Sequence, residues 1–173
     1  MPKIHLETFI AAPAEACFDL CLNVNAHERA GHGRAVAGVT SGQMLLGDMV
    51  MWEGMHFFVR QRLTSKIVAY ERPLMFVDEM QRGALARWRH THRFAAQPGG
   101  TLMVDNVDFA SPLGVLGKIV DALVMRGYMT RFLIRGNAHF KCEAEARAKD
   151  QAGKGASPTG NVDTTHKAGS QSA

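Results

Sequence analysis

Between Arg34 and Ala110 the chain passes through six strand-length segments in succession, RAVAGVT, GDMVMWEGMHFFV, RLTSKIVAY, PLMFVDEM, LARWRHTHRFA and TLMVDNVDFA, divided by Gly, Pro or charged turns. Links this short favour antiparallel pairing of neighbours, because a parallel crossover needs a dozen residues or more. A further strand, Ile4 to Ala11, precedes the run. It is followed by AAPAEACFDLCLNV, in which Pro13 suits a first helical position and Phe18, Cys21 and Leu22 share one face. After the strands, from about Pro112 to Ala148, apolar residues at Leu116, Ile119, Val120, Leu123, Val124, Gly127, Ile134 and Ala138 recur on one face of a long helix. A meander closed by a helix long enough to cross it predicts an α+β domain. Its curved seven-stranded antiparallel sheet wraps the last helix, with short helices after the first strand, and a cavity is enclosed between sheet and helix.

One domain, residues 1–147, accounts for all of these elements. The remaining segment, 148–173, is small and polar with Val162 as its one sizeable apolar side chain, and is expected to be a disordered tail. The 173-residue chain is 46% apolar and 21% charged with a net charge of +4, and it lacks Lys/Arg runs, so nucleic acid is not an expected partner. The opening MPKIHLETF has no apolar core, and the most apolar later stretch is interrupted by Lys118, Asp121 and Arg126. Neither a signal peptide nor stable membrane insertion is expected, and the location read from this is cytoplasmic. Cys17, Cys21 and Cys142 form an odd set without a C-x-x-C, which fits reduced packing residues better than disulfides or zinc ligands. No P-loop, G-x-G-x-x-G, G-x-S-x-G or H-E-x-x-H occurs. ATP, NAD, the commonest hydrolase and zincin chemistries are therefore not indicated, and no cofactor or metal is expected.

The most informative stretch is ARWRHTHRFA. Strand alternation sends Arg87, Arg89, Thr91 and Arg93 to one face and Trp88, His90, His92 and Phe94 to the other, and three unpaired arginines cannot be the buried set. The Trp/His face therefore points inward. A hairpin loop at Gln97–Gly100 opposes Ala96 to Thr101 and hence His92 to Asp105, while the preceding hairpin opposes Met80 to Trp88 and hence Asp78 to His90. Four readings of this cluster stand. It is a structural network satisfying buried carboxylates; a polar anchor for a ligand carbonyl, hydroxyl or carboxylate; a general base, with His90, His92 and Asp105 the catalytic candidates; or a metal site, since H-x-H on a strand sets two imidazoles side by side with Asp105 or Asp78 to complete it.

Other candidates complete the expected pocket. In MVMWEGMHFF, Glu53 points out and leaves Trp52, His56 and Phe58 inward, His56 being either cavity wall or an ordinary histidine bonded within the sheet. Met125, Met129 and Phe132, with Tyr128, form a second apolar stripe on the closing helix, opposite its sheet-facing side. That stripe suits a homodimer contact, a lid, a membrane-touching surface or an interaction module. The basic excess also belongs to this helix: Lys118, Arg126, Arg131, Arg135, Lys141, Arg147 and Lys149 oppose Asp121, Glu143 and Glu145. Arg131 and Arg135 lie one turn apart, either a solvated edge or an attraction for an anionic ligand at the cavity mouth.

The order of elements, with GDMVMWEGMHFF, ERPLMFVDEMQRGALARWRHTHRF and GGTLMVDNVDFASPLGVLG, resembles the START-like helix-grip superfamily. It resembles more closely the bacterial polyketide cyclase/dehydrase-like or coenzyme Q-binding-like branch. The most specific pieces are Phe76-Val77-Asp78-Glu79, the spaced His90 and His92, Gly100 to Asp105, and Pro112-Leu113-Gly114; Phe58 stands where a small residue is expected. The resemblance implies a deep apolar cavity under the C-terminal helix and a hydrophobic small-molecule partner such as a lipid, quinone or polyketide-like aromatic. A cyclase or dehydratase-like activity is the alternative. Phe76, Met103, Leu123, Gly127 and Arg131 join Trp52, Asp78, Trp88 and the histidines as expected ligand-binding residues.

Overall fold

The computed structural model describes residues 3–56, 58–112, 114, 119 and 121–155. Strand β1 (Lys3–Ile10) leads into helices α1 (Ala14–Cys21) and α2 (Val24–Arg29), after which come β2 (Arg34–Gly38), β3 (Met49–His56), β4 (Val59–Glu71), β5 (Met75–Arg82), β6 (Arg87–Gln97) and β7 (Gly100–Ala110). A π-helical turn at Asp121–Met125 opens the closing helix α3 (Arg126–Gly155). The seven strands form one antiparallel sheet in the order β1-β7-β6-β5-β4-β3-β2. Register shifts in β2–β3 and twice in β4–β5 mark bulges, which bend strands and increase twist.

The registers read from the hairpins hold. Asp78 pairs with His90, His92 with Asp105, and Ala96 with Thr101. Pairing continues to Gln97 and Gly100, so the turn itself is Pro98-Gly99, with Gly99 at φ 81° in the left-handed position that follows proline in a type II turn. Pro13 caps α1 from outside instead of opening its first turn, and Asn23 caps α2 by accepting from the Ala26 amide at 3.1 Å.

Two apolar clusters flank the space between sheet and helix. One gathers around Phe18, which stands edge-on to Tyr70, Phe76 and Phe94 at centroid distances of 5.2, 5.5 and 5.6 Å and lies in the same cluster as Phe140 of α3. The other joins Ile4, Val107 and Phe109 to Leu133 of α3.

The closing helix presents the opposite face from the one expected. Leu123 is 78% exposed, and Ile119, Val124, Gly127, Ile134 and Ala138 also face outward. Met125, Tyr128, Met129, Phe132 and Leu133 turn toward the sheet. Both stripes are apolar, so periodicity alone could not choose between them, and the π turn adds a residue that rotates the faces beyond it. Leu116 and Val120 lie outside the described residues. Helix α3 also runs to Gly155, past the Ala148 boundary set by composition, and residues 156–173 lie outside the described residues. No helix among the described residues is long and apolar enough to cross a membrane.

The inverted face has a direct test in urea denaturation. Leu133→Ala, which empties a buried site, is expected to cost about 2–5 kcal/mol, whereas Leu123→Ala should stay within about 0.5 kcal/mol of the parent.

Candidate functional site

Between the two clusters lies a cavity of about 330 Å³. Trp52, Phe76 and Trp88 wall it from the sheet, and Met125, Met129, Phe132 and Phe140 roof it from the helical side. Its floor is polar because alternation in β6 places His90 and His92 on the same side, while Asp78 on β5 pairs directly with His90.

The floor is a square of alternating carboxylates and imidazoles. His90 Nε2–H donates to Asp105 Oδ1 at 2.9 Å, and His90 Nδ1 stands 3.8 Å from Asp78 Oδ2. His92 approaches Asp78 Oδ2 through Nε2 at 3.4 Å and Asp105 Oδ1 through Nδ1 at 2.8 Å, the latter too far off line for a hydrogen bond. The two rings lie 3.7 Å apart, and His92 stacks on Phe76 at 4.2 Å. Beneath them Asp105 is fully buried, its second oxygen accepting from Asn137 Nδ2 of α3 at 2.6 Å. Among the described residues, these two histidines are the ion-pair partners of both carboxylates.

Burial alone would raise the Asp105 carboxyl and depress the His92 imidazole. The contacts overcome it in both cases: His90 and His92 hold Asp105 well below the usual carboxylate range, and Asp105 and Asp78 push His92 up to about 9. Asp78 is likewise lowered, against its own burial, by the hydrogen bond and charge of His92 and the charge of His90.

A second histidine pair, which the sequence reading did not single out, lines the same cavity. His27 Nε2–H donates to the Cys21 carbonyl at 2.7 Å, so its Nδ1 is an acceptor and takes a hydrogen bond from His32 Nδ1 at 2.8 Å. This order leaves His32 Nε2 bare. It faces Gly136 of α3 so closely that a Cβ there would overlap it. Desolvation dominates here, bringing His27 down to about 4 and His32 well below its ordinary value. Their spacing in HERAGH, at the end of α2 and in the turn after it, offered one weak signal: two imidazoles near a helix that packs on the sheet.

No family model and no curated protein matches the sequence. Solved structures do match in shape. A START superfamily protein from Mycobacterium smegmatis superposes with TM-score 0.62 at 14% identity, over 86% of this chain and 98% of that one. The Zhui aromatase/cyclase from a Streptomyces species gives 0.64 at 13%, over 84% and 94%. Ginseng major latex-like protein 151 from Panax ginseng gives 0.63 at 10%, over 83% and 97%.

The chain has the START-like helix-grip fold.

Within this helix-grip fold the expected pocket residues divide. Trp52, Phe76, Asp78, Trp88, His90 and His92 reach the cavity, with Asp105 directly under its floor. Phe58 does not: β3 ends at His56, and Phe58 sits in the β3–β4 turn at φ 64°, 98% exposed, so strand alternation had been carried two residues too far. The His56 side chain lies outside what is described. Met103 is buried but packs away from the cavity, its sulfur 3.7 Å from Cys21 Sγ. Leu123 and Gly127 face outward with the inverted helix stripe. Arg131 is also exposed; with Tyr128, Phe132 and Arg135 it bounds a separate pocket of about 200 Å³. Met125, Met129 and Phe132, the stripe expected to face away from the sheet as a homodimer contact, lid, membrane-touching or interaction surface, are half-buried and roof the cavity on the sheet side of α3.

The neutral histidine pair sets an acid limb to stability. The unfolded chain takes up a proton on His27 near pH 6.5 and the folded helix-grip domain only near 4, so unfolding binds protons between those values and stability falls as pH drops through them. The slope is at most about 1.4 kcal/mol per pH unit for each such group. Urea midpoints measured from pH 7 to 4 should fall in the parent and flatten in His27→Gln/His32→Gln, whatever that variant's stability at pH 7.

Proposed function

We propose that the protein binds a hydrophobic small molecule in the cavity under α3, with the molecule's hydroxyl or carbonyl end at Asp78, His90 and His92. The observation that carries this is the contrast between apolar walls and one cluster of titratable groups, within a volume suited to a small ligand. Lipids, quinones and polyketide-like aromatics share that division into apolar body and polar end. The solved START superfamily and aromatase/cyclase structures with the same fold agree with a cavity used for such molecules. Three free cysteines suit a reducing, cytoplasmic setting.

A second reading is catalytic, and one feature favours it. His92 stands with Nε2 near Asp78 at the cavity floor and Asp105 2.8 Å behind Nδ1, so that a small rotation of the ring would let the carboxylate support the imidazole as general base. Proton removal beside a ligand carbonyl, the step that opens an aldol-type cyclisation, is the chemistry it suits. If His92→Gln abolishes turnover of a poly-β-ketone analogue while leaving its affinity within a few-fold, catalysis is the better account.

Trp52 and Trp88 are the two tryptophans of the chain and both line the cavity, so occupancy has an intrinsic reporter. Titration with a 1,4-naphthoquinone and with a long-chain fatty acid should give saturable quenching for at least one class. Met129→Trp, which fills the space from the helix side, should weaken that binding at least about tenfold by calorimetry while the melting temperature changes little. Absence of saturable binding by both classes, or unchanged binding in a stably folded Met129→Trp, would overturn the cavity reading.

A further inference from the structure

We infer that Asp78, His90 and His92 form a binding site for one divalent transition-metal ion of the zinc class, with Asp105 positioning the two histidines from behind. The inference stands apart from the identity of any organic ligand.

The ligand atoms are already assembled. One oxygen or nitrogen from each of Asp78, His90 and His92 lies within 4.8 Å of the others. Asp78 Oδ2 is 3.4 Å from His92 Nε2 and 3.8 Å from His90 Nδ1. Three ligands at about 2.0–2.1 Å from a tetrahedral ion are separated by about 3.3–3.4 Å, so closing onto a metal asks for small side-chain movements. The backbone supplies the arrangement: H-x-H on β6 sets both imidazoles on one face, and the β5–β6 register sets the carboxylate across from them.

The layer behind fits the same purpose. A metal-bound histidine commonly gives its other ring N–H to a carboxylate, which fixes tautomer and orientation. Here Asp105 Oδ1 accepts from His90 Nε2 at 2.9 Å, which leaves the lone pair of His90 Nδ1 on the Asp78 side, and it stands 2.8 Å from His92 Nδ1, where a small rotation of that ring would let it take the Nδ1–H and free Nε2 for a metal. Asn137 Nδ2 in turn donates to Asp105 Oδ2 at 2.6 Å and to Thr8 Oγ1 at 3.3 Å, tying this support to α3 and β1.

Charge points the same way. Asp78 and Asp105 bring two carboxylates into an apolar cavity, and among the described residues neither pairs with lysine or arginine. A single divalent cation balances both charges while each imidazole stays neutral. Three protein ligands leave a fourth position directed into the cavity, which is the pattern of zinc sites that bind water or an oxygen ligand. A molecule offering a carboxylate, enolate or hydroxamate oxygen is the class that would occupy it.

The test uses the full chain stripped with EDTA and titrated with Zn²⁺ by calorimetry and with Co²⁺ by visible absorption. The expected result is one ion per chain at micromolar affinity or tighter, and a Co²⁺ d–d spectrum of low coordination number. Asp78→Asn and His92→Gln should each weaken binding at least about 100-fold, and Asp105→Asn about 10- to 100-fold with the same type of Co²⁺ spectrum, as expected of an outer partner. His139→Gln, which removes the half-buried i,i+4 pair with Glu143 outside the cavity floor, should change nothing. Failure of the parent to bind one ion stoichiometrically overturns the inference, independently of whether any variant folds. Binding that survives Asp78→Asn or His92→Gln undiminished overturns it equally, and a fall in His139→Gln would then place the ion at the His139–Glu143 pair.

Discussion

An ionised carboxylate with no access to water lies at the centre of this fold. Asp105 is in the middle of β7, with β1 on one side and β6 on the other, and leaving its charge uncompensated would cost several kcal/mol. Its partners come from two elements that also meet through the β6–β7 hairpin and the apolar packing of α3: His90 and His92 from β6, and Asn137 from α3. Slipping β6 by one residue would send both histidines to solvent and bring arginines to the carboxylate. Shifting α3 would remove the amide that caps the second oxygen. The same charge therefore reinforces the register that the β6–β7 turn sets and the helix seating that the apolar clusters set, and with them the geometry of the cavity floor.

The cavity follows from what holds the helix at either end. Phe18 with Phe140 on one side, and Phe109 with Leu133 on the other, are packed clusters, and between them α3 spans a gap that its own side chains do not fill. An unfilled apolar space forfeits dispersion contacts, and an occupant restores them by binding the folded state alone. The methionines on the roof suit this: Met125 and Met129 are unbranched and polarizable, able to repack around ligands of different outline.

How much of this the sequence disclosed depended on the signal each element carried. Strand alternation has a period of two and a buried face, so Trp88, His90 and His92 announced their side without ambiguity, and the Pro98-Gly99 turn then fixed Asp105 opposite His92. The helix gave no such decision. Both its stripes are apolar, and the π turn at Asp121–Met125 lies inside the pattern being extrapolated, so Leu123 and Met129 exchanged faces. Phe58 failed for a different reason: alternation is valid only to the end of a strand, and a turn residue with positive φ had no sequence mark, since phenylalanine is not a residue that favours it. His27 and His32 stayed hidden because neither lies on a strand whose alternation marks an inner face, and the setting of His32 comes from Gly136 of α3, more than 100 residues away in the chain.

The two histidine pairs show how far environment, and not residue type, sets the chemistry of the cavity. Among the described residues the hydrogen-bond partners of His27 and His32 are a backbone carbonyl and each other, and the rest of their surroundings is apolar, so desolvation prevails and they present a neutral imidazole wall. His90 and His92 meet carboxylates, so the floor carries excess negative charge unless protons or a cation balance it. In the proposed role, what balances it would decide the sign of the ligand's polar end. A protonated imidazole offers a hydrogen-bond donor to a carbonyl or hydroxyl, whereas a divalent ion offers an open coordination position and selects an oxygen anion. Shape and apolar lining are common to both states, so in the proposed ligand-binding role the cavity walls would set the size of the ligand while the charge state of three side chains at its floor would set the functional group.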